Sequence, residues 1–336
     1  MADHLAKLSS LLEDGKLRCE LCAHRCLIPP GQKGLCRVRE NRDGELIALS
    51  YGRLIAAHVD PIEKKPLYHF LPGSLSYSIS SPGCNFRCQW CQNADISQIS
   101  FVNAPEKPRF VEPERVVEAA LDSGCKSIAY TYTEPTLSFE YNLAVSQLAR
   151  EMGLRNIYVT NGYMTAEMLA LSIPTLDAAN VDIKAFDEAI HKRYTGARLQ
   201  PVLETCEALF KAGVWLEITT LLVPSVNDDE AQLLGLAEFI AVRLSPDVPW
   251  HISRYFPQPQ FRHIPPTPPE RIHHAMNVGR KAGLRYVYGG NMLASADTDC
   301  PNCGERVIRR LGYSERVESL KDNACPKCGF RLAGVW

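Results

Sequence analysis

Two rhythms of apolar and polar residues alternate along the middle of this chain. Between residues 75 and 290, short β-type runs trade places with stretches whose apolar residues recur every three or four positions. LSYSISSPG (75–83) reads as a strand ending in Pro-Gly. SIAYTYTEP (127–135), NIYVTNG (156–162), ANVDIKAF (179–186), WLEITTLLVP (215–224) and WHISRYFP (250–257) continue the series, with YVYGGN (286–291) as one further strand. Glu112 and Pro113 open a helix with Val116, Val117, Ala120 and Leu121 on one face, closed by Gly124. Helical patterns also cover 138–152, 201–212, 229–243 and 268–282. Strands alternating with helices predict βα units and a parallel sheet, so the fold class is α/β. Six such units fit a partial (β/α)6 TIM-type barrel. A doubly wound sheet is the alternative, because periodicity does not separate the two. In either architecture the C-terminal ends of the parallel strands carry the site.

Outside that region the pattern changes. MADHLAKLSSLLEDGKL, at the start, reads as a short amphipathic helix carrying Leu5, Leu8, Leu11 and Leu12, not as a signal peptide. PQPQFRHIPPTPPE (257–270) holds six prolines and reads as a long loop over the strand ends, either a connector or a lid. Three regions are expected: an N-terminal metal-binding segment (1–50), the α/β core (51–295) and a C-terminal knuckle (296–336). A net charge of −1 gives no global attraction to nucleic acid or membrane, and no run reaches the length of a membrane span. A soluble, cytoplasmic protein is the expectation.

Composition alters the picture at one residue type. Thirteen cysteines in a chain with no secretory signal point to metal rather than disulfides. Cys84, Cys88 and Cys91 lie in SSPGCNFRCQWCQN, spaced C-x3-C-x2-C with Trp90 before the last. A four-iron cluster has four thiolate positions, so three on one loop leave an iron open for another ligand. Zinc would ask for a fourth Cys or His, and none follows within 30 residues. At the C-terminus, CPNCG (Cys300, Cys303) and CPKCG (Cys325, Cys328) read as paired knuckles of a zinc ribbon or a rubredoxin-like iron site. The mild basic excess there comes with few aromatics, so nucleic acid is not expected. At the N-terminus, Cys19, Cys22, Cys26 and Cys36 form C-x2-C-x3-C-x9-C, which suits zinc or an auxiliary iron–sulfur cluster. Cys125 and Cys206 sit in apolar contexts and read as buried structural residues.

The phrase SPGCNFRCQWCQN closely resembles the cluster loop of radical S-adenosylmethionine (radical SAM) enzymes. The resemblance implies a [4Fe-4S] cluster on Cys84, Cys88 and Cys91, with SAM chelated to the open iron. Barrels resembling the pyruvate formate-lyase activating enzyme carry Gly-Gly-Glu at the end of the second strand, to hold the SAM amino group. Here the stretch is Tyr132-Thr133-Glu134-Pro135: Glu134 matches, the glycines do not, and the backbone approach to SAM is expected to differ. The same resemblance assigns SAM contacts to Asn161 in VTNGYM, to Asp182 and Lys184 in VDIKAF, and to Arg254 and Trp90. Alternation puts Asp182 and Lys184 on one face, where a self-satisfied ion pair is the alternative. Asp182 could also help bind a monovalent cation, and His251 could be a packed core histidine.

Across nearly the whole chain the sequence resembles the radical SAM proteins of the AmmeMemoRadiSam system, relatives of the activating enzymes. The resemblance rests on CELCAHRCLIPPGQKGLCRVREN, the triplet phrase, YTYTEPT, VDIKAF, DTDCPNCGERV and CPKCGFRLAGVW. It implies Memo-like and AMMECR-type partners, a flavodoxin- or ferredoxin-type reductant, and a small-molecule or protein substrate. Activation of a glycyl-radical enzyme is the second reading, and a non-catalytic electron-transfer or scaffold protein the third.

Overall fold

Residues 4–98, 108–258, 261–292, 296–317, 320 and 323–336 are described by the computed structural model of the protein. The β-type runs form one eight-stranded sheet: β1 (Ala56–Pro61), β2 (Leu75–Ser80), β3 (Ser127–Tyr130), β4 (Arg155–Thr160), β5 (Ala178–Asp182), β6 (Trp215–Leu222), β7 (Trp250–Arg254) and β8 (Val287–Gly290). Their order in space is their order in the chain, with β1 and β8 at the edges. β1 pairs antiparallel with β2, and every later pairing is parallel. A doubly wound sheet reverses its order at a switch point. This sheet never does, which removes that alternative. The antiparallel strand β1 was not announced by the pattern.

The crossovers are α1 (Pro113–Asp122), α2 (Phe139–Glu151), α3 (Ala166–Ser172), α4 (Glu188–Thr195), α5 (Gln200–Lys211), α6 (Glu230–Glu238) and α7 (Pro269–Lys281). Their starts follow local chemistry. Pro113 and Pro269 stand in the first turn of α1 and α7. Thr165, Asp187 and Asp229 cap α3, α4 and α6 by accepting the backbone N–H three residues on. The helical pattern at 229–243 divides, with α6 passing into a wider π-type turn at Phe239–Leu244. Val116, Val117 and Ala120 of α1 pack with Ile128 and Tyr130 in the main core. Cys125 and Cys206 are buried there too.

The N-terminal helix expectation is wrong. Ser9–Leu11 is a strand paired antiparallel with Leu17–Cys19, joined by a single turn at Glu13–Gly15. Asp14 and Gly15 both take positive φ, which breaks a helix. The buried positions are Leu17 and Cys19, two apart, while Leu5 and Leu11 are exposed. Period two therefore outweighed the helical spacing of the leucines. A hairpin, Arg39–Arg42 with Glu45–Ala48, follows. A buried ion pair from Arg39 to Glu140 of α2, at 2.6 Å, fastens this region to the core.

The N-terminal ends of the strands are closed by a floor. Ile62, Leu67 and Phe70, between β1 and β2, pack against Ala129, Ile157 and Ala178. Glu217 of β6 is fully buried and accepts from the backbone N–H of Tyr68 (3.0 Å) and His69 (2.8 Å), Trp215 Nε1 (3.0 Å) and His251 Nε2 (2.6 Å). The C-terminal tail seals this end: Val335 exchanges backbone hydrogen bonds with His69 and Leu71, and Arg310 donates to the Tyr68 carbonyl at 2.7 Å. His251 is thus a core histidine. Among the described residues no helix is long and apolar enough to cross a membrane.

Candidate active site

The cysteine triplet lies on the loop leaving the C-terminal end of β2. Gly83 opens it at φ +106°, and a Cβ there would lie 3.0 Å from a methyl of Val38, so both conformation and space call for glycine. The loop is pinned from three sides. Arg87 N donates to the Thr195 carbonyl at the end of α4 (2.7 Å), Asn93 Nδ2 to the Tyr132 carbonyl (2.7 Å), and Thr133 Oγ1 to the Ser81 carbonyl (2.6 Å). Donors converge on the sulfurs: Phe86 N lies 3.3 Å and Asn161 Nδ2 3.8 Å from Cys84 Sγ, and Ser97 Oγ is 3.2 Å from Cys91 Sγ. Burial, with Glu134 adding to it, pushes the Cys84 thiol well up, and burial takes Cys88 up to about 12. As free thiols these are inert nucleophiles; with donors around them they are suited to metal ligation.

Glu134 follows β3 and is 3% exposed. Its Oε1 accepts from Thr136 N (3.1 Å), Thr136 Oγ1 (2.5 Å) and Thr160 Oγ1 (2.7 Å), and its Oε2 from Asn161 N (2.8 Å). The carboxylate therefore ties the end of β3 to the end of β4. Burial raises it above the usual carboxylate range, against these hydrogen bonds. Asn161 is placed by that bond; its Nδ2 reaches Asn85 Oδ1 (2.7 Å) as well as Cys84. Two positions before Glu134, where the resemblance has glycine, Tyr132 adopts φ +65°. The left-handed backbone that glycine would supply is kept without glycine. The Tyr132 side chain runs to Asp60 with a hydrogen bond from its hydroxyl, and Lys65 Nζ lies 4.6 Å from its ring centre.

Asp182 closes β5, and Lys184 Nζ sits 2.9 Å from its Oδ2. Burial lowers the Lys184 pKa, but Asp182 and then Cys88 outweigh it and hold the ammonium charged. Negative charge at Cys88 and Cys91 would favour this cation further. Arg254 and Trp90 are turned elsewhere. Arg254, at the end of β7, donates from Nε to the Thr267 carbonyl (2.7 Å) and stacks its guanidinium over Phe256 at 4.9 Å. It fastens the proline-rich loop at its described residues. Trp90 is 2% exposed and packs with Tyr194 and Phe261, anchoring the triplet loop beneath the ends of β6 and β7. Sequence reasoning missed Asn85, Asn93, Ser97 and Thr160. The first three lie within six residues of a triplet cysteine and Thr160 precedes Asn161, so proximity was the one available signal.

The two cysteine quartets differ in shape. In the C-terminal set Gly304 and Gly329 take φ +72° and +73°, and each donates back to the first cysteine of its knuckle. Cys300 Sγ lies 3.6 Å from Cys328 Sγ, and Cys303 Sγ 3.6 Å from Cys325 Sγ. All four sulfurs fall within 4.8 Å of one another, close enough to share one metal ion. Cys19, Cys22, Cys26 and Cys36 line a single cavity together with Arg39 and Asn85.

The radical SAM superfamily pattern matches residues 78–237, from β2 through α6. Over 311 residues the chain is 42% identical to an uncharacterized protein of Methanocaldococcus jannaschii, covering 92% of each. The chain belongs to the radical SAM superfamily. It is also 27% identical to the pyruvate formate-lyase-activating enzyme of Streptococcus mutans, over 62% of this chain and 85% of that one. A radical SAM methyltransferase from Sphaerobacter thermophilus shares the fold, with a TM-score of 0.52 at 15% identity over 66% of this chain and 67% of that one. Membership implies a [4Fe-4S] cluster and SAM. The triplet, Glu134, Asn161, Asp182 and Lys184 fall inside the matched stretch, whereas Arg254 and both quartets fall outside it.

Proposed function

We propose that this protein is a radical SAM enzyme whose cluster, on Cys84, Cys88 and Cys91, cleaves SAM to generate a hydrogen-abstracting radical. The observation that carries the reading is the donor set at the ends of β2 to β5: three thiols on one pinned loop, N–H groups on Cys84, and the Lys184 ammonium, paired with Asp182 and favoured by charge at Cys88 and Cys91. That set fits an anionic four-iron cluster with one iron left free of protein ligands. When bound, the cluster supplies one electron to the SAM sulfonium, releasing methionine and a 5′-deoxyadenosyl radical that takes hydrogen from substrate.

The chain's own residues then have distinct tasks. Glu134 sets the Thr160–Asn161 backbone, and Asn161 presents its amide to the cluster loop. Lys184 would offset thiolate charge, and the Asp182–Lys184 pair would take the SAM carboxylate and ribose. A monovalent cation at Asp182 would share a carboxylate that already carries Lys184. Left-handed Tyr132 gives the backbone next to Glu134 a turn of the kind that glycine adopts freely. The sheet would form a partial barrel around the substrate. The C-terminal quartet takes zinc or iron in a structural role. The physiological setting we propose is a Memo- and AMMECR-linked pathway, with a flavodoxin- or ferredoxin-type donor.

A second reading, activation of a glycyl-radical enzyme, is favoured by relatives that include a pyruvate formate-lyase-activating enzyme and an isethionate sulfite-lyase activating enzyme. The test of the first reading is a dithionite-driven assay for 5′-deoxyadenosine on anaerobically reconstituted protein. Wild type is expected to form it, and Cys88→Ala to fall at least about 100-fold with an unchanged melting temperature. A fully loaded wild type that forms none, with or without candidate substrates, would sink the reading. A glycyl-radical signal on a partner enzyme would move the second reading to the front.

A further inference from the structure

We infer that Cys19, Cys22, Cys26 and Cys36 hold a second iron–sulfur cluster rather than a single zinc ion, beside the triplet. The chain carries its own standard for a single-ion site. With sulfur–metal bonds of about 2.3 Å, a tetrahedral ion sets its thiolates roughly 3.8 Å apart. The C-terminal quartet has that shape, with sulfur pairs at 3.6 Å and paired knuckles. Among the described residues it is the one group of three or more such ligands drawn within 4.8 Å. The N-terminal quartet has no such paired knuckles: its four cysteines are spread around one cavity that they line with apolar residues. A four-iron cluster spreads its thiolates over four metals and needs room between them.

The cavity has the lining of a cluster pocket. Leu21, Ile28, Leu35 and Leu137 make it apolar, and Cys19 and Cys22 are each 7% exposed. Gly34 does not take positive φ; it is small for space. A Cβ there would stand 3.7 Å from Cys26 Sγ and 3.3 Å from Ile28, filling room beside the sulfur. Two buried N–H donors in the lining have no acceptor. Arg39 gives its NH2 group to Glu140 and its NH1 group to the Lys7 carbonyl, but its Nε–H is unpartnered. Asn85 receives Asn161 on Oδ1, but its own Nδ2 is unpartnered. Buried donors left unmade are costly. Sulfide and thiolate sulfurs of a cluster are acceptors for N–H groups placed around it.

Position adds to the case. His24 Nε2–H donates to the Asn85 carbonyl at 2.9 Å, and Arg87 reaches the Leu35 carbonyl. Asn85 therefore lines the quartet's cavity while standing next to Cys84, and the two centres are neighbours. The spacing C-x2-C-x3-C of the quartet's first three cysteines is that of the triplet read backwards.

The assignment of the quartet stands on its own; adjacency to a first cluster rests on the radical SAM reading. The deciding protein is the triple variant Cys84→Ser, Cys88→Ser, Cys91→Ser, which leaves the quartet intact. It is reconstituted anaerobically with iron and sulfide, then analysed for iron, sulfide and zinc, by Mössbauer spectroscopy and by EPR after dithionite. The expected result is about four sulfides per chain, with the matching irons in a four-iron signature. Sulfide is the key count, because an iron ion at the C-terminal site brings none. Adding Cys22→Ser and Cys26→Ser should remove it. In wild type, both clusters reduced, the EPR signals should broaden through mutual coupling. One extra zinc and no sulfide in the triple variant overturns the inference, as does a quartet that takes neither metal in a variant that melts like wild type. Sulfide retained there while loaded wild type cleaves no SAM would count against the proposed function and leave this site standing.

Discussion

Glu134 and Glu217 are both buried carboxylates that accept four hydrogen bonds, and they stand at opposite ends of one sheet. Glu217, at the floor, draws its partners from a remote segment and from a histidine. Burial pushes its pKa up, but its hydrogen-bond partners, His251 foremost, bring it below the usual range. Glu134, at the rim, is held by hydroxyls and amides of its own and the next strand end, and burial prevails. The floor carboxylate locks a plug in place. The rim carboxylate arranges a loop, leaving Asn161 Nδ2 turned to the cysteines.

The comparison breaks most visibly in stability. Glu217→Ala strands four buried donors and should cost about 3–5 kcal/mol, read from reversible denaturant unfolding. Glu134→Ala also strands four donors, but all are hydroxyls and backbone amides of its own and the next strand end rather than of a remote segment. It should cost about half as much and instead loosen SAM binding. Equal losses at the two positions would remove the distinction drawn between floor and rim.

Acid should act on the floor next. His69 gives Nδ1–H to the Ala333 carbonyl (2.8 Å) and accepts the Tyr288 hydroxyl on Nε2 (2.6 Å), so it is held neutral. Burial lowers its pKa to about 4, with Glu217 opposing. In the unfolded chain His69 binds its proton near pH 6.5, and in the folded chain only near 4. The unfolded state thus holds more protons across that window, and stability falls as pH falls from 6.5 to 4, by up to about 3 kcal/mol. Melting temperature against pH checks this, and His69→Gln should flatten the curve between those values.

How far the sequence reached differs at the two ends. The strands were legible because short β-rich runs are bounded by Pro, Gly and Asn, and the helices because Pro113, Asp187, Asp229 and Pro269 mark their starts. The triplet was legible because one loop carries all three ligands. The floor was not: Glu217 meets Tyr68 and His69, 149 and 148 residues away, and no local pattern encodes such a pairing. Glu134 was found as a rim carboxylate, but its saturation by Thr160 and Asn161 depends on strand order, which periodicity leaves open. The N-terminal leucines misled because their spacing fits a helix while Asp14 and Gly15 turn the chain. Arg254 and Trp90 have the chemistry for a ligand contact, but side-chain direction sends one to Thr267 and the other into an aromatic cluster.

The finest test of the rim concerns Tyr132. At φ +65° a side chain costs about 1–2 kcal/mol relative to the right-handed region, and glycine escapes that cost. What holds Tyr132 there is its hydroxyl on Asp60 and its ring beside Lys65. Burial would raise the Asp60 pKa, but Lys64, Lys65 and Tyr132 hold it below the carboxylate range, so that carboxylate stays charged to receive the bond. Tyr132→Gly and Tyr132→Ala both remove the ring and hydroxyl and differ only in backbone. Glycine normally ranks below alanine in folded-state stability, through the freedom of the unfolded chain. Here the order should invert, with Tyr132→Gly about 1 kcal/mol more stable than Tyr132→Ala. Tyr132→Gly should also keep SAM affinity within about twofold of wild type, because the backbone beside Glu134 retains its shape. If alanine equals or exceeds glycine, the chain leaves the left-handed region once the Asp60 and Lys65 contacts are gone. Glycine ahead means instead that the turn outlasts those contacts, held by Asn93 and Thr133 through the Tyr132 and Ser81 carbonyls.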